Sequence, residues 1–388
     1  MHPVYEYIVS VAILFLVLSY SFYAVNSVVV NQLTLVKEEQ LKDIANRLFD
    51  KILYTPGYPI DWGSNIHVNE SNLIDFGVHA STGDLQKLDI NKLNRLIYEY
   101  EGIINPLYIP PETVGRLLGI YEDGHWIYGF RLLIKSALNV TIQPLDSDSE
   151  VPVKYKVKVI DYVGKDAANA LVKGILCAAY IINEGGRDVL KYDYNIARNL
   201  TRLDGTTVLK FEKPEVPHQA LDAAYALLVT ANYYGLQSQG IWTRGQVVNL
   251  INIGDYLIVN LSSFWPPSAR HVQLTAIEFT TDLDIILNPI INETNGESGK
   301  IINKGRFKYR VYKLANPITE DVIFIGLLVI ATGQAYLVFA SRPRTPIIVD
   351  YRSHSFPVAG LKTETIYGLF RISDNTYYAQ LTVWRMSE

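Results

Sequence analysis

Few side chains in this sequence are spaced as catalytic or metal-binding groups are. Histidine, the commonest acid–base group near neutral pH and a frequent metal ligand, occurs seven times and always alone, at His2, His67, His79, His125, His218, His271 and His354. No H-x-H or H-x-x-x-H pair presents two ring nitrogens to one metal ion. The G-x-S-x-G nucleophile elbow and the glycine-rich phosphate and dinucleotide motifs are missing as well. The sequence therefore predicts a protein that is not an enzyme and that holds no metal and no cofactor.

The thiol and charge inventories exclude two further kinds of chemistry. Cys177 is the single cysteine and lies in the apolar run ILCAAYII, so it can form neither an intrachain disulfide bond nor a cysteine-based zinc site. With no charged neighbour in sequence, its thiol is expected to be an inert part of a core. Lysine and arginine total 35 against 39 acidic residues, and no basic cluster occurs. Nucleic acid is therefore excluded as a partner, since its binding needs a concentrated positive surface.

The elements that would position any functional group begin with an apolar N-terminal segment. From Tyr7 the chain reads YIVSVAILFLVLSYSFYAV, and the apolar character extends to Val30, with no lysine or arginine before Lys37. A helix rises about 1.5 Å per residue, so about 20 such residues cross about 30 Å of hydrocarbon. Because neither a basic n-region nor a small-residue cleavage pattern is present, the segment is predicted to be an uncleaved transmembrane anchor and not a signal peptide.

Candidate glycosylation sites indicate which side of the membrane the body occupies. The charges that flank the apolar segment are few and mixed, so they say little about orientation. Five N-x-S/T sequons, all of them downstream of the segment, lie at Asn69, Asn139, Asn199, Asn260 and Asn292. These sites favour a single-pass protein with its N-terminus inside and its body extracellular.

The rest of the chain is predicted to be mainly β, after the long N-terminal helix. Apolar residues spaced three or four apart, which form one helical stripe, are Leu41, Ile44, Ala45, Leu48, Phe49 and Ile52. They predict that the anchor continues as an amphipathic stalk, so that residues 1–55 form one unit that stops before Pro56 and Gly57. The predicted units that follow are an α+β head (56–145), an acidic linker (146–152), a β-sandwich (153–245) and a C-terminal β-rich domain (246–388).

Local patterns within these units predict individual elements. Asp89 is expected to cap a helix in LDINKLNRLIYEY, and PPETVGRLLGI is expected to form a short helix that ends at Gly119. In the sandwich, Glu184-Gly185-Gly186 and Asp204-Gly205 are expected turns, and YALLVTANYYGLQSQGIW is expected to supply one strand. Residues 322–340 are long enough to span a membrane. The β-branched residues and the interruption at Thr332 favour a β-hairpin there over a second span.

Two parts of the sequence resemble known families of surface proteins. The window EYIVSVAILFLVL, with Glu6 at its start, resembles the hydrophobic helix of type IV pilins. The phrase TPGYPIDWG, with Trp62 and Gly63, and the later ALNVTI resemble the heads of archaeal membrane-anchored, pilin-like surface proteins over residues 1–145. The pattern that passes through DGT and YYGL within residues 151–245 resembles immunoglobulin-like and carboxypeptidase-regulatory-like modules.

The resemblances imply a location and an architecture, and they imply no chemistry. Glu6, Tyr7 and Val30 become candidate anchor and assembly residues. Glu6 would either meet the terminal amine of a neighbouring subunit or lie at the lipid headgroup boundary. The expected partners are the lipid bilayer and either copies of this chain or other envelope and filament proteins. The modules would act as spacers or adhesive units.

Three functional hypotheses follow from the sequence. The first is an archaeal envelope protein for adhesion, scaffolding or filament assembly. The second is a receptor or solute-binding ectodomain with a cleft lined by aromatic residues such as Trp242, Trp265 and Tyr256. The third is a hydrolase on a β scaffold. The 27 tyrosines, including the pairs at 233–234 and 377–378, either serve subunit contacts or reflect the preference of sheets for aromatic residues.

Overall fold

The chain is mainly β with one long helix at its N-terminus, as the sequence predicts. The computed structural model describes residues 3–100, 103–146, 151–244, 246–247, 250–260, 271–272, 275–279, 285–291, 301–304, 307–316, 323–331, 334–342, 347–353 and 361–386. Of the residues named from the sequence, His2, Trp265, Asn292, Thr332 and His354 lie outside these ranges.

The residues that the structure describes in the first third of the chain include three helices. Helix α1 (Pro3–Tyr54) begins with a proline at its first position and contains no other proline and no glycine, so nothing interrupts it before the Pro56-Gly57 turn. Helix α2 (Ile90–Asn94) starts where predicted, since the Asp89 carboxylate accepts a hydrogen bond from the Asn91 N–H at 2.8 Å. It is shorter than the predicted LDINKLNRLIYEY helix, because the chain turns after Arg95. Helix α3 (Pro111–Leu117) is the second predicted helix.

The described residues of the rest of the chain form twenty-five strands. Those up to Asp161 are β1 (Glu99–Tyr100), β2 (Ile103–Ile104), β3 (Tyr121–Glu122), β4 (His125–Trp126), β5 (Tyr128–Ser136), β6 (Leu138–Pro144) and β7 (Lys154–Asp161). The next five are β8 (Leu171–Glu184), β9 (Arg187–Leu200), β10 (Thr206–Lys210), β11 (Asp222–Tyr233) and β12 (Leu236–Arg244). The C-terminal strands are β13 (Gln246–Val247), β14 (Leu250–Ile253), β15 (Tyr256–Asn260), β16 (His271–Val272), β17 (Thr275–Phe279), β18 (Ile285–Ile291), β19 (Ile301–Lys304), β20 (Phe307–Leu314), β21 (Ile323–Ala331), β22 (Gln334–Arg342), β23 (Ile347–Arg352), β24 (Thr363–Ile372) and β25 (Asn375–Arg385).

One antiparallel sheet, which we call the helix-packed sheet, packs against the C-terminal part of α1, from Leu41 to Leu53. Its strand order is β23-β5-β25-β24. Alternate residues of β5 and β25 point into a core that they share with α1, and the predicted stripe from Leu41 to Ile52 is buried or packed against that core. The prediction of a stalk helix that packs on a folded body is therefore confirmed. The same core includes Trp62 and Phe76 from the loop that follows α1.

Two sheets face each other to form a seven-stranded β-sandwich. One has the order β10-β7-β6, and the other, which we call the long-edge sheet, has the order β12-β11-β8-β9. Inward residues of both, including Tyr155, Val157, Leu176 and Leu227, form one buried cluster. The turns predicted at Gly185-Gly186 and Asp204-Gly205 join β8 to β9 and β9 to β10. The expected single strand in YALLVTANYYGLQSQGIW was wrong, because the segment folds back as the hairpin β11–β12.

The C-terminal strands form two further sheets. Their orders are β13-β22-β21-β16 and β14-β15-β20-β18-β17, with β19 beside β20. Strands β21 and β22 pair antiparallel from Ile323↔Arg342 to Ala331↔Gln334, so the predicted hairpin at 322–340 is confirmed.

Strand pairing crosses the predicted domain bounds. Strand β5 of the predicted head pairs with β23 and β25 of the predicted C-terminal domain. Strand β6 pairs with β7 across the predicted acidic linker, where the Asp146 carboxylate accepts a hydrogen bond from the Val153 N–H at 3.1 Å. The linker is thus a hairpin connection within the sandwich. Polar composition marked where the chain turns, but it carried no information about which distant strands share hydrogen bonds.

Candidate functional site

The N-terminal part of α1 is an exposed apolar rod. Residues Tyr7–Val29 form a stretch of 23 residues that is long and apolar enough to cross a membrane, and none of it is buried in the body. At about 1.5 Å per residue its length is about 34 Å, close to the thickness of a hydrocarbon core. Tyr7 is exposed. Glu6 and Val30 lie within α1 by their backbone, and their side chains are outside the described part of the chain.

Aromatic packing clamps the other end of α1 to the helix-packed sheet. The ring centroid of Phe49 lies 6.2 Å from that of Tyr54 and 6.1 Å from that of Phe370, and the Tyr54 and Phe370 centroids are 5.5 Å apart. Gly368 makes this approach possible, since a Cβ built there would be only 3.2 Å from the Phe49 ring. The helix end is therefore fixed by close packing and not by a flexible joint.

Ion pairs flank the aromatic clamp on both sides. Lys362, immediately before β24, pairs with Glu38 of α1, and Lys51 Nζ lies 2.6 Å from an Asp75 carboxylate oxygen. All four side chains are partly exposed, so each pair adds roughly 0–1 kcal/mol. The Glu38–Lys362 pair marks the point on α1 at which the body begins.

A buried lysine secures the loop that follows α1. Lys92 is fully buried, and its ammonium donates hydrogen bonds to the carbonyl oxygens of Pro56 at 2.8 Å and His79 at 2.9 Å. Burial lowers the pKa of Lys92 below its ordinary value, and the nearby carboxylates of Asp89 and Asp61 oppose that shift. The lysine acts as a donor that ties two turns of the loop to α2.

Arg95 also ties turns of this loop together through hydrogen bonds to backbone carbonyl oxygens. Its guanidinium donates to the carbonyl oxygens of Trp62, Asn65, Val68 and Leu107 and is fully buried. Burial lowers the pKa of Arg95 to about 10, so the group stays charged at neutral pH. Four carbonyl acceptors replace the water that the cation loses.

Trp62, which with Gly63 carries the sequence resemblance, lies close to both cations, with Lys92 Nζ 6.0 Å and Arg95 Cζ 5.8 Å from its ring centroid. The Trp62 indole is buried and donates through Nε1 to Gly77 O at 3.1 Å. A Cβ at Gly63 would lie 2.5 Å from the Lys92 side chain, so only glycine fits there. These two residues have a structural role. Lys92 and Arg95 were missed from the sequence, because each reads as the polar face of a short helix.

The solvent-facing side of the helix-packed sheet carries a tyrosine stack. The ring of Tyr378 lies 5.1 Å from Tyr162 and 6.0 Å from Tyr367, nearly parallel to both, and Lys135 Nζ lies 5.3 Å from the Tyr378 centroid. The two tyrosine pairs singled out from the sequence do not behave alike: Tyr234 is 89% exposed, whereas Tyr377 is buried.

The remaining candidate groups among the described residues are metal-binding side chains, the Cys177 thiol and the sequons. Within the described ranges, no group of three or more His, Cys, Asp and Glu side chains could hold a metal ion. Cys177 is buried on β8, and burial raises the pKa of its thiol to about 12. This placement confirms the predicted core position. Three sequons are described: the Asn69 and Asn199 side chains are exposed and Asn139 is half-buried. Asn260 lies on β15, with its side chain outside the described part.

The aromatic cleft of the receptor hypothesis does not assemble from the residues described. Trp242 packs in the sandwich, with its ring 5.1 Å from Tyr155, whereas Tyr256 packs in a separate cluster with β14 and β20. A cleft of about 360 Å³ does lie between the sandwich and the β24–β25 turn. Its described lining is polar and includes Lys173 and Arg371.

Comparisons with known proteins give no family for this chain. No protein-family model matches it, and no curated protein matches it. Among solved structures it is similar to the sporulation control protein Spo0M from Bacillus subtilis, with 11% sequence identity, over 54% of this chain and 91% of that chain. The TM-score is 0.18, which carries no argument about fold or function.

Proposed function

We propose that this chain is a non-enzymatic, membrane-anchored surface protein whose N-terminus is inside the cell and whose body is extracellular. One observation carries the proposal: α1 is a single helix whose first part is exposed and apolar and whose last part belongs to the core of the body. An apolar rod of this length has no stable place in water, and a bilayer supplies the missing apolar environment.

The continuity of α1 supports a scaffolding role. The body begins at Glu38, nine residues beyond the end of the apolar stretch at Val29, which is about 14 Å along the helix. Since the described helix has no glycine or proline between these positions, it would hold the body at a fixed height above the lipid.

The finer role that we propose is adhesion or filament assembly in an archaeal envelope, with a pilin-like head and an immunoglobulin-like module. Exposed tyrosines support it, because tyrosine offers contact area and a polar tip at little cost in rotamer entropy. The stack of Tyr162, Tyr378 and Tyr367 and the projecting Tyr234 are the surfaces that we assign to such contacts. Glu6 would pair with the terminal amine of a neighbouring subunit.

Single-cysteine labelling tests the topology. In a Cys177→Ala background, Leu203→Cys reports on the body, where the native side chain is 87% exposed, and Tyr5→Cys reports on the other end of α1. On intact cells, a membrane-impermeant maleimide should label Leu203→Cys but not Tyr5→Cys, and permeabilised cells should show both. Alkaline carbonate should leave the protein in the membrane. Leu16→Arg with Val17→Arg should release it, since each arginine at mid-span costs about 2.5–3.5 kcal/mol.

Two results would contradict the proposal. Labelling of Tyr5→Cys and not of Leu203→Cys on intact cells would place the body inside. Extraction of the unmodified protein by carbonate would show that the apolar stretch does not anchor the protein in the membrane.

A further inference from the structure

Strand β9 is a long free edge of the sandwich. It runs for 14 residues, Arg187–Leu200, and pairs with β8 along its whole length without a register shift. Among the described residues, β8 is its only strand partner. Alternate backbone N–H and C=O groups of an edge strand point away from the sheet and can bind another strand.

The edge lacks several of the features that keep other edges from pairing, although it carries the charged residues Asp188, Lys191, Asp193 and Arg198. Strand β9 contains no proline, no glycine and no bulge, and its side chains Tyr194, Ile196 and Leu200 are 45%, 57% and 54% exposed. At the opposite edge of the long-edge sheet, β12 lies against β6, where a Cβ at Gly240 would be 2.6 Å from the Val140 carbonyl oxygen. Long, straight edges with exposed apolar side chains are sites of strand addition.

The side chains on the inner face of β9 are already engaged, and this fixes the strand without covering its edge. Asp193 accepts a hydrogen bond from the Glu215 N–H at 2.6 Å, and the Asn195 amide donates to the Glu212 carbonyl at 3.3 Å. The segment from Glu212 to Val216 makes these bonds and crosses the inner face of the sheet, where Val216 packs against the cluster that contains Tyr225. The strand is therefore held in place before any partner binds.

The sequence of β9 is complementary to itself. In an antiparallel pair of two β9 strands with Asp193 on the two-fold axis, Tyr192 lies opposite Tyr194, Leu190 opposite Ile196, and Asp188 opposite Arg198. Each pairing occurs twice, and all of these residues lie on one sheet face because their numbers share parity. Shifting the axis by two residues places Arg198 opposite Tyr192 in one direction and Asp188 opposite Tyr194 in the other, so the ionic pair is lost in both cases.

We propose that β9 binds β9 of a second copy of this chain in this register, so that two long-edge sheets join into one eight-stranded sheet. The contact combines backbone bonds with aromatic, aliphatic and ionic cross-strand pairs. The like charges of the two Asp193 residues on the axis are offset in part by Lys191 of each copy, which lies diagonally across from the Asp193 of the other and also pairs with Glu184 of its own chain at 3.1 Å. The two-fold relation makes the interface closed, so it stops at a dimer.

Disulfide mapping in isolated membranes tests both the contact and its register, with Cys177→Ala as background. Directly opposed residues have Cα atoms about 4.5–5.5 Å apart, within disulfide range. Asp193→Cys should therefore cross-link to itself on mild oxidation. Asp188→Cys should not, since its two copies would be about 33 Å apart, but co-expression with Arg198→Cys should give a mixed dimer. The cross-linking result does not depend on which side of the membrane the body faces. Failure of this proposal is therefore distinguishable from failure of the proposed topology.

Charge reversal supplies an independent measurement on the full chain in detergent. Asp188→Arg places an arginine opposite Arg198 of the other copy at each end of the paired strands. The repulsion should raise the dimer dissociation constant on the order of 10- to 100-fold. Adding Arg198→Asp restores opposite charges and should return the constant to within about threefold of the starting value. Unchanged melting temperatures would show that the variants fold.

Three outcomes would overturn the proposal. Folded Asp193→Cys that stays monomeric under oxidation would exclude the contact. Equal self-cross-linking at 188 and 193 would show random collision and not a register. A dimer dissociation constant that stays as high in the double variant as in the single variant would show that residues 188 and 198 do not face each other.

Discussion

Replacing Phe49 by alanine should separate the contribution of the C-terminal part of α1 to the stability of the body from that of its apolar N-terminal stretch. The Phe49 side chain is 5% exposed and touches the Tyr54 and Phe370 rings. Truncating a buried phenylalanine removes its transfer free energy and leaves a cavity, at about 3–5 kcal/mol. Phe22 on the same helix is 77% exposed, so Phe22→Ala is a matched control that should change the free energy of unfolding by under about 0.5 kcal/mol.

The assay is thermal unfolding of the full chain in detergent, followed by tryptophan fluorescence. At roughly 2–4 °C per kcal/mol, Phe49→Ala should lower the melting temperature by roughly 6–20 °C, and Phe22→Ala should leave it unchanged. Equal melting temperatures for the two variants would refute the reasoning. The helix would then be an appendage on the body and not part of its core.

Three other predictions concern the body. Lys92→Met removes a donor from the carbonyl oxygens of Pro56 and His79, of which Pro56 keeps a bond from Trp62 Nε1 at 3.2 Å, and should lower the free energy of unfolding by about 1–3 kcal/mol in a urea titration. The pKa of Cys177 is raised to about 12, so at pH 8 the native thiol should react with a thiol-exchange reagent about 1000-fold more slowly than the unfolded chain, in which the thiolate is populated. Gly129→Ala should cost about 1–3 kcal/mol, because its Cβ would lie 2.2 Å from the Trp384 ring, whereas Gly83→Ala has nothing within 4 Å and should be neutral in the same titration.

Features that depend on neighbours in sequence were predictable. The stripe from Leu41 to Ile52 follows the helical period and is buried as one face. Asp89 caps α2 through a bond to a residue two positions away, and the 322–340 hairpin follows from β-branched residues around a central break. In each case a few adjacent residues determine the geometry, so the sequence pattern contains the answer.

Features that depend on distant residues were not. Strand β5 pairs with β25 across more than 200 residues, and no local pattern reports that pairing. The β11–β12 hairpin turns at Tyr234-Gly235, with φ of 49° and 83°, and tyrosine in place of the usual asparagine hides the turn signal. The exposed edge of β9 likewise depends on which strands line up beside it, and this is a property of the assembled sheet.

The packing of α1 against β24 and β25 also dictates an order of events during synthesis. The apolar stripe of α1 is made early, but the strands that cover it, β24 and β25, are translated about 330 residues later. At about 5–20 residues per second, the stripe waits roughly 15–65 seconds for its partner. During that interval the apolar face of the helix must be shielded from water by something other than its final strand partners.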